Sequence, residues 1–193
     1  MPPTRMNNSY IDSAVSRGYD VLMMDGVLDN HFINSLEQKF KDSTFARVDS
    51  NTIDKLINKE EEMPSKLDDK QKETLKEVFE RNINKETFHV VFESLSESDQ
   101  PVTITQNEFM RRMKDMEALG GNGMMMGMGG FPESYDLIVN ANNNLITKIM
   151  GESDAAKQDQ LVKQLYDLAR LSKNLLKGKE LNDFVKRSVS TIE

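Results

Sequence analysis

Residues 161–192 read LVKQLYDLARLSKNLLKGKELNDFVKRSVSTI, and this stretch decides the fold of the C-terminal part of the chain. Its apolar residues recur every three or four positions, which is the spacing of one face of an α-helix. Gly178 interrupts the pattern and is a typical helix stop. We therefore predict a helical hairpin over residues 153–192, in which two helices are joined by a short turn.

The apolar stripe of this hairpin is too wide to remain exposed in a single copy. Either a sheet covers the stripe, or a second copy of the chain does. Two such hairpins would form a four-helix bundle and hence a symmetric dimer. The side chains expected at the dimerisation contact are Leu161, Leu165, Leu168, Leu175, Leu181, Phe184, Val185 and Val189.

Upstream of the hairpin, three short runs have the composition of β-strands. They cover residues 88–92, 102–104 and 135–139, and a helix that begins at Asp68 precedes them. We predict that these runs form a three-stranded, mostly antiparallel sheet with helices packed on it. Residues 64–193 would then be a mixed α/β domain, and the fold class of the whole chain would be α+β.

Residues 1–63 are predicted to form a separate, small α/β subdomain. A helix ends at Gly18, the apolar runs 19–24 and 44–48 are predicted strands, and a helix beginning near Asp29 lies between them. This βαβ-like order favours parallel strands. The boundary is expected in the charge-rich stretch 59–72, where Pro64 disfavours helix just before it.

Residues 105–131 combine an amphipathic helix pattern with a loop rich in glycine and methionine. Thr105 and Glu108 have the spacing of a capping box, and Phe109, Met113 and Met116 share one helical face. The loop, residues 120–131, contains little that would order it. Two interpretations of residues 105–119 remain open: ordinary core, or an adaptable surface that binds varied apolar partners.

The composition excludes several classes of function. Acidic residues outnumber basic ones by 32 to 25, and no basic patch with interleaved aromatic residues indicates nucleic acid. The chain has no cysteine, and its two histidines, His31 and His89, have no metal ligands nearby in sequence. No signal peptide, membrane span, phosphate-binding loop or catalytic constellation is evident, so we expect a cytoplasmic protein that is not itself an enzyme.

Several blocks, taken in order, resemble the Hsp90 chaperones. The blocks GYDVLMMDG at 18–26 and FARVDS at 45–50 resemble the end of the family's middle domain. The blocks PVTIT at 101–105, YDLIVNANNN at 135–144 and LNDFVKR at 181–187 resemble its C-terminal domain. The resemblance covers nearly the whole chain and is greatest to the bacterial form, high-temperature protein G.

The resemblance implies a stress-response protein that folds other proteins. Members of the family are ATP-driven homodimers, with ATP and magnesium held in an N-terminal domain that has no counterpart in this sequence; no cofactor or metal is therefore expected here. Partners would be a second copy and unfolded client proteins, not nucleic acid or membrane. The client-binding residues implied are Phe109, Met110, Met113, Met116, Leu119, Asn30 and His31. The alternative is a dimeric adaptor without chaperone activity.

Overall fold

The computed structural model describes residues 8–24, 26, 28–42, 45, 47–48, 63–106 and 134–190. The chain divides into two compact units, Met1–Asn58 and Lys59–Glu193. Each unit has its own set of elements and is described separately below.

The first unit contains two helices among its described residues, α1 (Asn8–Ser16) and α2 (Asp29–Lys39). Helix α1 ends as predicted at Gly18, which has a left-handed φ of 79°. The N–H of Tyr19 donates to the carbonyl of Ala14 at 3.1 Å, and the N–H of Gly18 donates to that of Val15 at 2.9 Å. These two bonds form the Schellman motif that closes a helix C-terminus.

The predicted α/β character of residues 1–63 is not seen in the described residues. Residues 19–24 form no strand, and neither Phe45 nor Arg47 is in one; Thr44 and Ala46 lie outside the described residues. A strand requires a hydrogen-bonded neighbour, and residues 21–24 make no backbone hydrogen bond within the described part of the chain. Leu22 and Met23 are 70% and 67% exposed, so an apolar run alone was insufficient to predict a buried strand.

The second unit begins with α3 (Asp69–Asn82). Its N-cap is Asp68, which accepts from the N–H of Gln71 at 2.8 Å while the Gln71 side chain accepts from the N–H of Asp68 at 3.0 Å. This reciprocal capping box satisfies two otherwise unpaired donors at the start of the helix. The helix buries Leu75, Val78 and Phe79 against the sheet and the later helices.

The sheet of the second unit contains β1 (Phe88–Glu93), β2 (Val102–Thr105) and β3 (Tyr135–Asn140). The strand order is β1-β3-β2, with β3 parallel to β1 and antiparallel to β2. The prediction of a mostly antiparallel sheet is therefore wrong; the sheet is mixed. The reason is that β1 and β2 do not pair as a hairpin: the chain returns after β2 and inserts β3 between them, which leaves β1 and β3 parallel.

Three helices follow the sheet: α4 (Asn144–Met150), α5 (Ala155–Ser172) and α6 (Gly178–Ser190). Helix α5 packs on α3 and on the sheet, and the core lies between these layers. Helix α5 ends at Ser172, before Gly178, because Asn174 takes the left-handed conformation, with φ 56°. The fully buried side chains of the core include Leu75, Phe79, Ile104, Leu137, Val139, Ile146, Ile149 and Val162.

Candidate functional site

Helices α5 and α6 contain every residue predicted at a dimer contact except Leu175, which lies in the turn between them, but the structure divides these residues into two groups. Leu165 and Phe184 are buried within the chain, at 7% and 6% exposure. Leu161 and Leu175 are half-buried against the same core. Those four side chains hold their own subunit together. Leu181 is half-buried, whereas Leu168, Val185 and Val189 are 45%, 50% and 54% exposed.

Helix α6 turns a polar face toward α5. The Nη2 of Arg187 contacts a carboxylate oxygen of Asp167 at 2.6 Å, and its Nε donates to the side chain of Gln164 at 3.0 Å. Gln164 also donates to the hydroxyl of Ser188 at 3.0 Å. Phe184 adds an apolar contact at this seam, where the guanidinium of Arg187 lies 5.7 Å from its ring centre.

The start of α6 is held by a second ion pair. Arg170 donates through both terminal nitrogens to the carboxylate of Glu180, with one of these distances 3.1 Å. The hydrogen bond from Arg170 is the main reason that the pKa of Glu180 lies below its ordinary value. Burial raises the pKa of Tyr166, whose ring lies 5.1 Å from the Arg170 guanidinium.

Part of the apolar surface of α6 points away from α5, although Phe184 is buried. Successive helical residues are about 100° apart, so Leu181, Val185 and Val189 lie roughly 120–160° around the helix from Arg187. On α5, exposed Leu168 and Leu171 lie next to Asp167, on the side that α6 does not cover completely. Sequence analysis missed Leu171, although its spacing of three from Leu168 was a usable signal. We call these five apolar side chains the outer stripe: Leu168, Leu171, Leu181, Val185 and Val189.

A cavity of about 360 Å³ lies beside this helix pair. Its walls come from the end of α3, the turn before β1, the starts of β1 and β3, α5 with the following turn, and the start of α6. The lining residues are Asn82, Asn84, Thr87, Phe88, Tyr135, Lys163, Tyr166, Arg170, Leu175 and Glu180. Cations and an anion both line it, and its guanidinium is already paired with Glu180, so the arrangement does not select one class of ligand.

Five of the predicted client-binding residues lie outside the part of the chain that the structure describes. Phe109, Met110, Met113, Met116 and Leu119 lie outside the described residues, as does the loop 120–131.

Asn30 and His31 are in the first turns of α2, where the imidazole of His31 is exposed. Leu28 and Phe32, beside them, are 72% and 55% exposed, and sequence analysis did not name them as client-binding residues. His89 is exposed on β1.

Within the described ranges, no group of three or more acidic or histidine side chains could hold a metal ion. No helix in the described part of the chain is long and apolar enough to cross a membrane.

Comparison with known proteins gives one consistent result. The model of the family "Hsp90 protein" matches residues 4–192. Chaperone protein HtpG of Bacteroides thetaiotaomicron is 32% identical over an alignment of 251 positions that covers 95% of this chain and 37% of the relative. Chaperone protein HtpG of Porphyromonas gingivalis is 42% identical over 153 residues, which cover 77% of this chain and 22% of the relative. The chain thus spans little more than a third of the relatives' length.

Proposed function

The chain belongs to the Hsp90 family, and from this premise we propose that it is the self-associating, client-binding part of a cytoplasmic, HtpG-type chaperone. In this proposal, residues 1–63 correspond to the end of the middle domain and residues 64–193 to the C-terminal dimerisation domain. ATP and magnesium are bound by another part of the full-length relatives, and this chain has no catalytic role of its own.

The observation that carries self-association is the orientation of α6. In a monomeric protein, an amphipathic helix normally turns its apolar stripe toward the core and its polar face toward water. Helix α6 departs from this pattern: it buries Phe184, but Arg187, Ser188 and Glu180 also contact α5, while Val185 and Val189 are left exposed. A second copy presenting the same stripe would cover it and form the four-helix bundle of a symmetric dimer.

The energetics indicate that a dimer built on this stripe is sensitive to single substitutions. Burying the exposed half of one leucine or valine contributes on the order of 1 kcal/mol. Both copies of the outer stripe would therefore contribute on the order of 10 kcal/mol, against an association cost of about 4–15 kcal/mol. Because the two quantities are comparable, one buried charge in the stripe should dissociate the dimer.

We revise the set of residues proposed for this contact. Because Leu161, Leu165, Leu175 and Phe184 are buried or half-buried within the chain, we assign them to the stability of the fold. Leu168, Val185 and Val189 keep the predicted role at the contact, with Leu181 beside them and Leu171 added.

Client binding is supported by the family resemblance and by exposed apolar surface on α2. We assign it to Phe109, Met110, Met113, Met116 and Leu119. Asn30 and His31 would contribute from α2, where Leu28 and Phe32 add apolar area. The competing adaptor hypothesis shares the dimer but has no client surface.

The experiment for self-association is sedimentation equilibrium of the wild type, Val185→Glu and the control Lys186→Glu. Residue 186 is the exposed neighbour of 185 on α6 but lies off the stripe. We expect wild type and Lys186→Glu to be dimers and Val185→Glu to be a folded monomer. A monomeric wild type would refute the proposal.

The chaperone and adaptor hypotheses are separated by an aggregation assay. A model substrate that unfolds on heating is heated with and without the chain, and its aggregation is followed by light scattering. A chaperone part suppresses scattering in proportion to its concentration, whereas an adaptor leaves the scattering unchanged.

A further inference from the structure

Asp167 is a buried carboxylate that lies on the side of α5 opposite its core-facing residues. The core-facing residues of α5 include Val162, Leu165 and Ala169, and Asp167 lies roughly 140–160° around the helix from each of them. Such a position would be exposed on an isolated α5. It is only 2% exposed because α6 lies over it.

Three cations surround this carboxylate. Arg187 of α6 reaches one oxygen, Oδ2, at 2.6 Å, and Lys163 reaches the same oxygen at 3.4 Å. Arg170 approaches the other oxygen, Oδ1, at 3.5 Å, but in the described part of the chain Oδ1 accepts no hydrogen bond. The nearby Nε of Arg170 is likewise buried without a hydrogen-bond partner there.

A buried ion pair of this kind is a poor way to gain stability, because desolvation offsets most of the attraction. The ion pair instead restricts how α6 can pack on α5, because burying the carboxylate of Asp167 without Arg187 would leave an uncompensated charge. Helix α6 has one competing arrangement in particular. If α6 rolled about its axis, Leu181, Val185 and Val189 would pack on α5 in place of Phe184, and the hydrophobic effect favours the larger apolar area of these three side chains together.

We propose that Asp167 is a positioning residue for self-association: by binding Arg187 it fixes the rotation of α6, and so keeps the outer stripe facing a second copy. This inference rests on the proposed dimer. The rolled arrangement would cover Asp167 with apolar side chains and remove its partner, which makes that arrangement unfavourable. The carboxylate thus prevents the subunit from burying its own dimerisation surface.

The test uses the intact chain with Asp167→Leu, which removes the charge and keeps a similar size. We expect α6 to roll inward, giving a folded monomer whose helix content by circular dichroism equals that of the wild type. The dissociation constant of the dimer, measured by sedimentation equilibrium, should rise by about tenfold or more. The exposed fraction at residue 185 of the monomer can be followed by labelling a Val185→Cys variant at concentrations below the dissociation constant of the dimer, and it should fall in the Asp167→Leu background.

A second variant, Asp167→Asn, guards against a failure of Asp167→Leu to fold, because the amide can still accept from Arg187. It should weaken the dimer less than Asp167→Leu does. Asp183→Asn, a similar loss of charge at an exposed position of α6, is the control and should leave the dissociation constant unchanged.

The outcomes are distinguishable. If Asp167→Leu dimerises as tightly as the wild type while Val185→Glu is monomeric, the dimer stands and the role of Asp167 is refuted. If both Asp167 variants are unfolded, Asp167 serves the fold and the positioning role is also refuted. A monomeric wild type overturns the dimer itself and this inference with it.

Discussion

Replacing Asn140 with alanine should destabilise the second unit more than most single substitutions. Asn140 is fully buried at the end of β3, and its amide serves three backbone groups. Its oxygen accepts from the N–H of Leu95 at 3.2 Å and from that of Asn142 at 3.0 Å, and its nitrogen donates to the carbonyl of Ser96 at 2.8 Å. The side chain therefore ties the loop after β1 to the turn that leads into α4.

The magnitude follows from the groups that alanine would leave unpaired. Both hydrogen bonds accepted by Asn140 are buried, and an unsatisfied buried group costs about 1–3 kcal/mol. The expected loss is thus about 4 kcal/mol, which for a chain of this size lowers the melting temperature by roughly 10 °C.

Urea unfolding followed by circular dichroism measures this loss as a shift in midpoint at constant slope. Asn144→Ala is the matched control, because Asn144 is exposed and its side chain accepts, among the residues that the structure describes, only from the exposed Lys66 ammonium at 3.1 Å. The control should change the free energy of unfolding by less than about 0.5 kcal/mol. A loss below about 1 kcal/mol for Asn140→Ala would show that water or relaxed backbone replaces these bonds, and the reasoning would be refuted.

Three further predictions concern charge, clients and nucleotide. The pairing with Arg170 lowers the pKa of Glu180 below its ordinary 4.5, so this pairing should stabilise the fold above pH 4.5. The stabilisation should be lost as the pH falls through the lowered pKa. The melting temperatures of wild type and Glu180→Gln should therefore differ at pH 7 and converge in acid. The double variant Met113→Ser/Met116→Ser should bind unfolded proteins more weakly with almost the same melting temperature; a large drop in melting temperature would assign these residues to a core. Titration calorimetry with ATP and magnesium should give no saturable heat, since the sequence has no phosphate-binding loop; stoichiometric binding would contradict the assignment of nucleotide to another part of the relatives.

Helical periodicity was informative because it depends only on neighbours along the chain. It predicted helical segments at the positions of α3, α5 and α6, and their apolar spacing is visible without any tertiary information. Strand pairing was less accessible, because whether β1 meets β2 or β3 is decided by a crossover and not by the strands themselves.

Which side of a helix is inside could not be read from the sequence of α6. Phe184 and Val185 are adjacent and both apolar, yet the first is buried and the second half exposed. In our proposal the difference arises from Asp167, which contacts Arg187, 20 residues later in the chain. This pairing is set by tertiary packing, so the sequence of α6 alone carries no signal of it.

In the proposed dimer, α6 presents Leu181, Val185 and Val189 to a second copy, and cysteine crosslinking can detect this contact. The chain has no cysteine, so single substitutions along residues 181–190 can each be oxidised and the covalent dimer measured on a non-reducing gel. We expect crosslinking to recur with helical spacing at Leu181, Val185 and Val189, and to be absent at Asp183, Lys186 and the control Glu77 on α3. Crosslinking at Asp183 and Lys186 instead, or at no position of α6, would contradict it.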